Sequence, residues 1–161
     1  MSLRLLTSVA CFAFALLLIE VPLNAEEKPK EVPLPTMPKT AGKVDKEAPK
    51  TFTTTKSGLK YRVLRKGGEK APKATDTVEV NYHGWLDDGK VFDSSYDRGD
   101  SISFPLNRVI AGWTEGMQLV GKGGMVELEI PSNLGYGARG APPDIGPGAT
   151  LHFIVELIDV K

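Results

Sequence analysis

Two short stretches hold the residues best suited to chemistry. In Val91-Phe92-Asp93-Ser94-Ser95 an apolar strand residue, an aromatic and a carboxylate stand side by side. In Val109-Ile110-Ala111-Gly112-Trp113 two β-branched residues lead through Ala-Gly into a tryptophan. A large aromatic, branched aliphatics and one acid suit a shallow, mostly apolar site with a few polar handles, and such sites bind small ligands or side chains. We read the two stretches as opposite walls of one pocket. The alternative for each is plain core, where most apolar clusters with a tryptophan belong. Other readings of the same residues are weaker. Ser94 and Ser95 beside Asp93 suggest a hydrolase, but the chain has no Gly-x-Ser-x-Gly elbow, and the serines are better read as fixing a loop. Asp93 could serve only as an ion-pair partner of Arg98, and Tyr136, between glycines, only as loop packing. His83 and His152 have no Cys, Asp or Glu at metal-ligand spacing, so no metal site is expected.

The elements that must position these residues are short. The chain has 161 residues, room for one domain and a tail, with 17 Gly and 12 Pro that favour strands and turns over long helices. Twenty basic and 20 acidic residues cancel, which leaves a nucleic-acid or anionic-membrane partner without electrostatic support. Leu59 to Leu64 alternates as a strand, and Thr77 to Tyr82 alternates strictly, with Val78, Val80 and Tyr82 on one face. Asp87-Asp88-Gly89-Lys90 predicts a hairpin turn from which Val91-Phe92-Asp93 returns. Ser101 to Phe104 is a further short strand, ended by Pro105. Leu106 to Leu119 predicts the one helix, one or two turns long, capped by Asn107, with Val109, Ile110, Trp113 and Met117 on roughly one face. Val126, Leu128 and Ile130 face inward on the next strand, with Glu127 and Glu129 on the opposite face. A Gly- and Pro-rich loop from Pro131 to Ala149 is long enough to be functional. Leu151, Phe153, Val155 and Leu157 mark the last strand. The pattern predicts an α+β fold, a twisted antiparallel sheet wrapped around one short helix.

Upstream of Thr51 the texture differs. Met1 to Ala25 reads as a secretory signal, with Arg4 before the apolar run Leu5–Ile19 and cleavage expected after Ala25. An uncleaved membrane anchor is the alternative, although the run is short against the ~20 residues a bilayer needs. The single cysteine, Cys11, falls mid-run, so the processed protein would hold neither disulfide nor catalytic thiol. Residues 26–50 alternate Lys, Glu and Pro without apolar period and predict an extended, mobile linker. The protein is thus expected to be exported, periplasmic or secreted, with domain boundaries at 1–25, 26–50 and 51–161.

Val80-Asn81-Tyr82-His83-Gly84, Asp88 to Ser95, Val109 to Trp113, Tyr136-Gly137 and Ala149-Thr150-Leu151-His152-Phe153 occur in the order and approximate spacing of the FKBP-type peptidyl-prolyl cis/trans isomerases. The resemblance covers Thr51 to Lys161, and the signal and linker look like those of secreted bacterial members. It implies a half-barrel sheet with a pocket between sheet and helix. Trp113 would form the floor, and Tyr82, Phe92, Ile102, Val109, Ile110 and Phe153 the walls. Asp93 and Tyr136 would be the polar side chains at the mouth, the Ile110 N–H would donate to a substrate carbonyl, and Arg98 would steady the aspartate. Ile102 stands where many relatives carry an aromatic, Ala141 where a histidine is frequent, and Asp144 where an apolar residue is usual. Trp85 has no matched role and is expected at the surface or a sheet edge.

The implied activity needs no nucleophile, metal or cofactor. An X-Pro bond rotates over a barrier of about 18–20 kcal/mol because rotation breaks amide resonance. A dry pocket shaped to the twisted bond binds it better than either planar isomer. The implied partners are proline-containing polypeptides and the macrolide inhibitors of the family, and the chain, without a helical dimerisation segment, is expected to be a monomer. The reading from a different class is a proline-binding chaperone or adaptor with little turnover. Leu34-Pro35 and Met37-Pro38 also suggest that the linker occupies the pocket of its own or a neighbouring molecule.

Overall fold

The computed structural model describes residues 31–161. The signal expected over 1–25 and the first five residues of the linker lie outside the described residues. Among those described, the strands are β1 (Thr53–Thr54), β2 (Lys60–Arg65), β3 (Thr77–Leu86), β4 (Val91–Ser94), β5 (Ile102–Pro105), β6 (Met125–Ile130) and β7 (Leu151–Val160). One helical turn, α1 (Ser95–Arg98), follows β4, and α2 (Ala111–Gly116) precedes β6. The strands form one unclosed antiparallel sheet in the order β1-β2-β6-β7-β3-β4, with β5 beside β4 on the same edge of β3. This is the expected α+β arrangement, a curved sheet wrapped around α2.

The shared edge of β3 sets up the site. Thr77 to Val80 pair with β5 and His83 to Trp85 with β4, which leaves a gap at Asn81 and Tyr82. A backbone donor left in such a gap needs another partner. Ser95, the first residue of α1, supplies it: its Oγ accepts from the Tyr82 N–H at 2.8 Å and donates to Asn81 Oδ1 at 3.0 Å. Ser94 caps the same turn by accepting from the Asp97 N–H at 3.3 Å. Both serines therefore have structural work, as expected of them.

The concave face holds the main core, with Val78, Val80, Val126, Leu128, Ile130, Leu151, Val155 and Leu157 packed under Trp113 and Met117. α2 is shorter than the expected Leu106–Leu119 helix: single 3-10 turns, Leu106–Arg108 and Met117–Leu119, flank it. Val109 and Ile110 are extended and break the run, so Asn107 caps nothing; Ile110 is the N-cap and makes no side-chain cap bond. The Thr114 hydroxyl instead ties the two pieces by donating to the Leu106 carbonyl at 2.6 Å.

The convex face departs most from expectation. Residues 31–50, expected as a mobile linker, lie against it. Met37 and Val44 cover Leu64, Met125 and Ile154, which point away from the main core, and the Asp45 N–H donates to Leu64 O at 2.8 Å. Arg62 lies beneath, 1% exposed; it pairs with Glu127 at 2.6 Å and donates to Val32 O at 2.6 Å and Pro33 O at 2.7 Å. Glu127 stands on the face opposite Val126, Leu128 and Ile130, as expected, but is buried there, and that burial pushes its carboxyl up against the opposing pull of Arg62. Trp85 is not at an edge, because β3 is interior; it stacks on His152 at 5.6 Å on this convex side. Leu34-Pro35 and Met37-Pro38 lie beside these contacts on the face opposite the expected pocket, so in this arrangement they do not occupy the chain's own pocket.

Removing one partner of a buried ion pair leaves the other charge uncompensated, at a cost of about 3–5 kcal/mol. Glu127→Leu should lower the free energy of urea unfolding by an amount of that order. The Arg62→Leu/Glu127→Leu double variant should recover part of it, although the Val32 and Pro33 carbonyls then also lose their donor.

Candidate active site

The cavity grows out of three close approaches. A Cβ on Gly112 would fall 2.5 Å from Ile130 Cγ2 and one on Gly116 2.7 Å from Leu128 Cδ1, so bare glycines let α2 sit directly on β6. A Cβ on Gly84 would fall 2.7 Å from Phe153 and 2.8 Å from Phe92, so only glycine in β3 lets these two rings meet above it. Trp113 comes down into the resulting aromatic box. Its ring centroid lies 5.3 Å from Tyr82 and 5.1 Å from Phe153, both edge-on, and 5.4 Å from Phe104. Edge-to-face pairs at these separations are favourable, because the positive ring edge meets the negative ring face.

Above Trp113 opens a cavity of about 480 Å³, lined by Tyr82, Phe92, Asp93, Ile102, Phe104, Arg108, Val109, Ile110, Trp113, Tyr136 and Phe153. Every wall, floor and mouth residue named from the sequence lines it; Arg98 alone stands behind the lining, bonded to Asp93. Two lining residues, Phe104 and Arg108, escaped the sequence reading. Phe104 was findable, since it follows Ile102 at the strand period of two on β5. Arg108 sits in an irregular turn with no period to reveal it. Val91, grouped with the first wall, points away and is 44% exposed. Ala141 and Asp144 are also outside the lining: Asp144 makes an exposed ion pair with Lys90 at 3.2 Å.

The polar edge is a closed triangle. The Tyr82 hydroxyl donates to Asp93 Oδ2, Arg98 Nη1 donates to Asp93 Oδ1, and Arg98 Nη2 donates to the Tyr82 hydroxyl at 2.8 Å. Partial burial pushes the Asp93 carboxyl up, but the hydrogen bonds from Tyr82 and Arg98 together win and hold it below the usual aspartate range. Burial first, and then the adjacent carboxylate, push the Tyr82 phenol up, which keeps it a proton donor. Asp93 thus faces an apolar cavity as a fixed anion with both oxygens engaged. Tyr136 lies opposite on the long loop, 42% exposed. The Ile110 carbonyl accepts from the Trp113 and Thr114 N–H groups at 3.0 and 3.1 Å, which orients the Ile110 peptide at the start of α2.

The sequence model of the FKBP-type peptidyl-prolyl cis-trans isomerases matches residues 68–158, a span that contains the whole cavity lining. The chain belongs to that family. Its FKBP-type domain is 53% identical over 112 residues to the FKBP-type peptidyl-prolyl cis-trans isomerase FkpA of Escherichia coli K12, covering 70% of this chain and 41% of that one. It is 47% identical over 108 residues to the peptidyl-prolyl cis-trans isomerase Mip of Coxiella burnetii, covering 67% of this chain and 47% of that one. The chain spans less than half the length of these curated relatives. Among solved structures, FkpA from Escherichia coli superposes with a TM-score of 0.66 at 53% identity, over 68% of this chain and 51% of that one. AtFKBP13 does so with a TM-score of 0.63 at 34% identity, over 68% of this chain and 98% of that one. The family match begins at Gly68, after β2, so the covered convex face is built partly from residues outside it.

A carboxyl stabilised in its ionised form adds stability above its unfolded pKa and loses it as pH falls through the lower folded value. The Asp93 carboxyl, followed by ¹³C NMR, should titrate below the ordinary 3.8, and Arg98→Met should move its midpoint upward.

Proposed function

We propose that this chain is a peptidyl-prolyl cis/trans isomerase that accelerates proline-limited folding of exported polypeptides. The observation that carries the reading is the cavity itself. An apolar box with a tryptophan floor is rimmed by one fixed carboxylate, in a chain whose family is named for this activity. The apolar run Leu5–Ile19 supports export to a periplasmic or extracellular space. The described residues contain no helix long and apolar enough to cross a membrane. The chain acts in this reading as a monomer, and the macrolide inhibitors of the family share the substrate pocket.

The planar X-Pro amide places negative charge on its carbonyl oxygen, and twisting the C–N bond withdraws it. Packing the prolyl ring against Trp113, Phe153, Phe92 and Val109 removes water that would solvate that charge, so the planar form loses more than the twisted one. A carboxylate at the rim works in the same direction, because Asp93 repels the charged oxygen of the planar amide more than the depleted oxygen of the twisted one. Its strength depends on the dry surroundings. Tyr136 and the Ile110 N–H orient the chain by donating to substrate carbonyls, which holds the bond where the walls fit its twisted form. Arg98 and Tyr82 keep Asp93 ionised and aimed. Each ~1.4 kcal/mol of preference for the twisted state is tenfold in rate.

The test is cis/trans exchange of a Leu-Pro peptide measured by NMR, with the chain from residue 26 onward and an Asp93→Val/Phe92→Ala variant. The expected result is accelerated exchange that falls by about tenfold or more in the variant, with the fold intact by circular dichroism. Peptide line shifts without accelerated exchange would make the chain a proline-binding module and end the enzyme reading.

A further inference from the structure

α1 is a single turn, Ser95–Arg98, too short to hold itself by backbone bonds. It nevertheless carries Arg98, which fixes Asp93. Side chains hold it instead. Ser94 and Ser95 fasten its start to its own backbone and to β3, and Arg98 fastens its end to Asp93 and Tyr82. The remaining anchor is Tyr96, whose hydroxyl donates to Glu156 Oε2 on β7 at 2.9 Å.

Glu156 is itself gripped from the other side. The Gly42 N–H donates to the same Oε2 at 3.2 Å, and Arg65 Nη2 pairs with Oε1 while its Nη1 donates to the Lys43 carbonyl at 3.2 Å. Burial pushes this carboxyl up, but the bonds from Arg65, Gly42 and Tyr96 outweigh it and hold it below its usual range. In register, Glu156 stands opposite Asn81, which accepts from Ser95 at the start of α1. One carboxylate therefore joins the 31–50 segment, the sheet and α1.

We infer that Glu156 is a positioning residue for the pocket: through the Tyr96 hydroxyl it sets where α1, and so the Arg98–Asp93 pair, stands over the cavity, and Gly42 and Arg65 hold it in that place. The effect on rate rests on the isomerase reading; the effect on Asp93 does not. The 31–50 segment thereby reaches the chemistry from the opposite face of the sheet without touching the cavity.

Tyr96→Phe deletes only the hydroxyl. Gly42→Ala adds a methyl that meets Arg65 Nη1 and Glu156 Oε1, both flexible ends, so the carboxylate must shift while the fold is kept. Met37→Ala serves as the control, since it loosens the same segment without touching Glu156. In both probe variants the Asp93 carboxyl should titrate closer to the ordinary 3.8 than in the parent chain. Exchange of the Leu-Pro peptide should slow by about threefold to tenfold, because misplacing a rim group costs orientation. Met37→Ala should lower the thermal midpoint and leave both readings where they were. An unchanged Asp93 titration in Tyr96→Phe and Gly42→Ala, or an equal shift in Met37→Ala, overturns the inference. A parent chain that does not speed exchange refutes the isomerase reading alone, since the titration still decides the role of Glu156.

Discussion

The site depends on how closely α2 approaches the sheet. A helix and a sheet with ordinary side chains between them leave no room for a cavity floored by a tryptophan, because the intervening side chains fill it. Here Gly112 and Gly116 present bare backbone to Ile130 and Leu128, and Trp113, which directly follows Gly112, is lowered until its ring meets Tyr82, Phe104 and Phe153. Glycine inside a helix costs about 1 kcal/mol relative to alanine. That cost suits a helix of only six residues. The same short helix leaves the β3–β4 side of the sheet uncovered, and that uncovered side is the cavity.

An apolar bowl binds without directing. Direction comes from the edge of β3, which β4 and β5 share and leave open at Tyr82. Because the gap exposes a backbone N–H, the chain must fold a turn across it, and that turn delivers Arg98 to Asp93 and Tyr82. The carboxylate is held by groups that are themselves held. The bonds that hold it below the usual aspartate range are positioned by strand pairing as much as supplied by the arginine.

Much of this was legible in the residues. Strict alternation in Thr77–Tyr82 and Leu151–Leu157 located the two central strands, and Asp88-Gly89 located the hairpin, with Gly89 at φ +83°. Two walls of the lining could be read from Val91–Ser95 and Val109–Trp113, and the resemblance to the family implied the rest of those named. What escaped had no strong local signature. Arg108 lies in an aperiodic turn. Extended Val109 and Ile110 part the first 3-10 turn from α2, whereas apolar spacing alone reads straight through them. The burial of Glu127 was not legible because alternation reports only which face a residue takes, not what covers that face.

The cover itself was hidden by composition. A segment with five prolines and few large apolar groups reads as unable to offset its ordering entropy. Proline, however, has already lost much of that entropy in the unfolded chain, so a prolyl segment needs fewer contacts to dock. The sheet offers those contacts because it is unclosed. Among the described residues no helix lies over Leu64, Met125 and Ile154 on its convex side, and Arg62 and Glu127 lie among strands where a charge needs both a partner and shelter from water. Met37 and Val44 answer the first need, and the Val32 and Pro33 carbonyls the second, using the backbone acceptor that proline retains after losing its donor. A stretch that reads as a tether in composition is, by its packing, a further layer of the sheet.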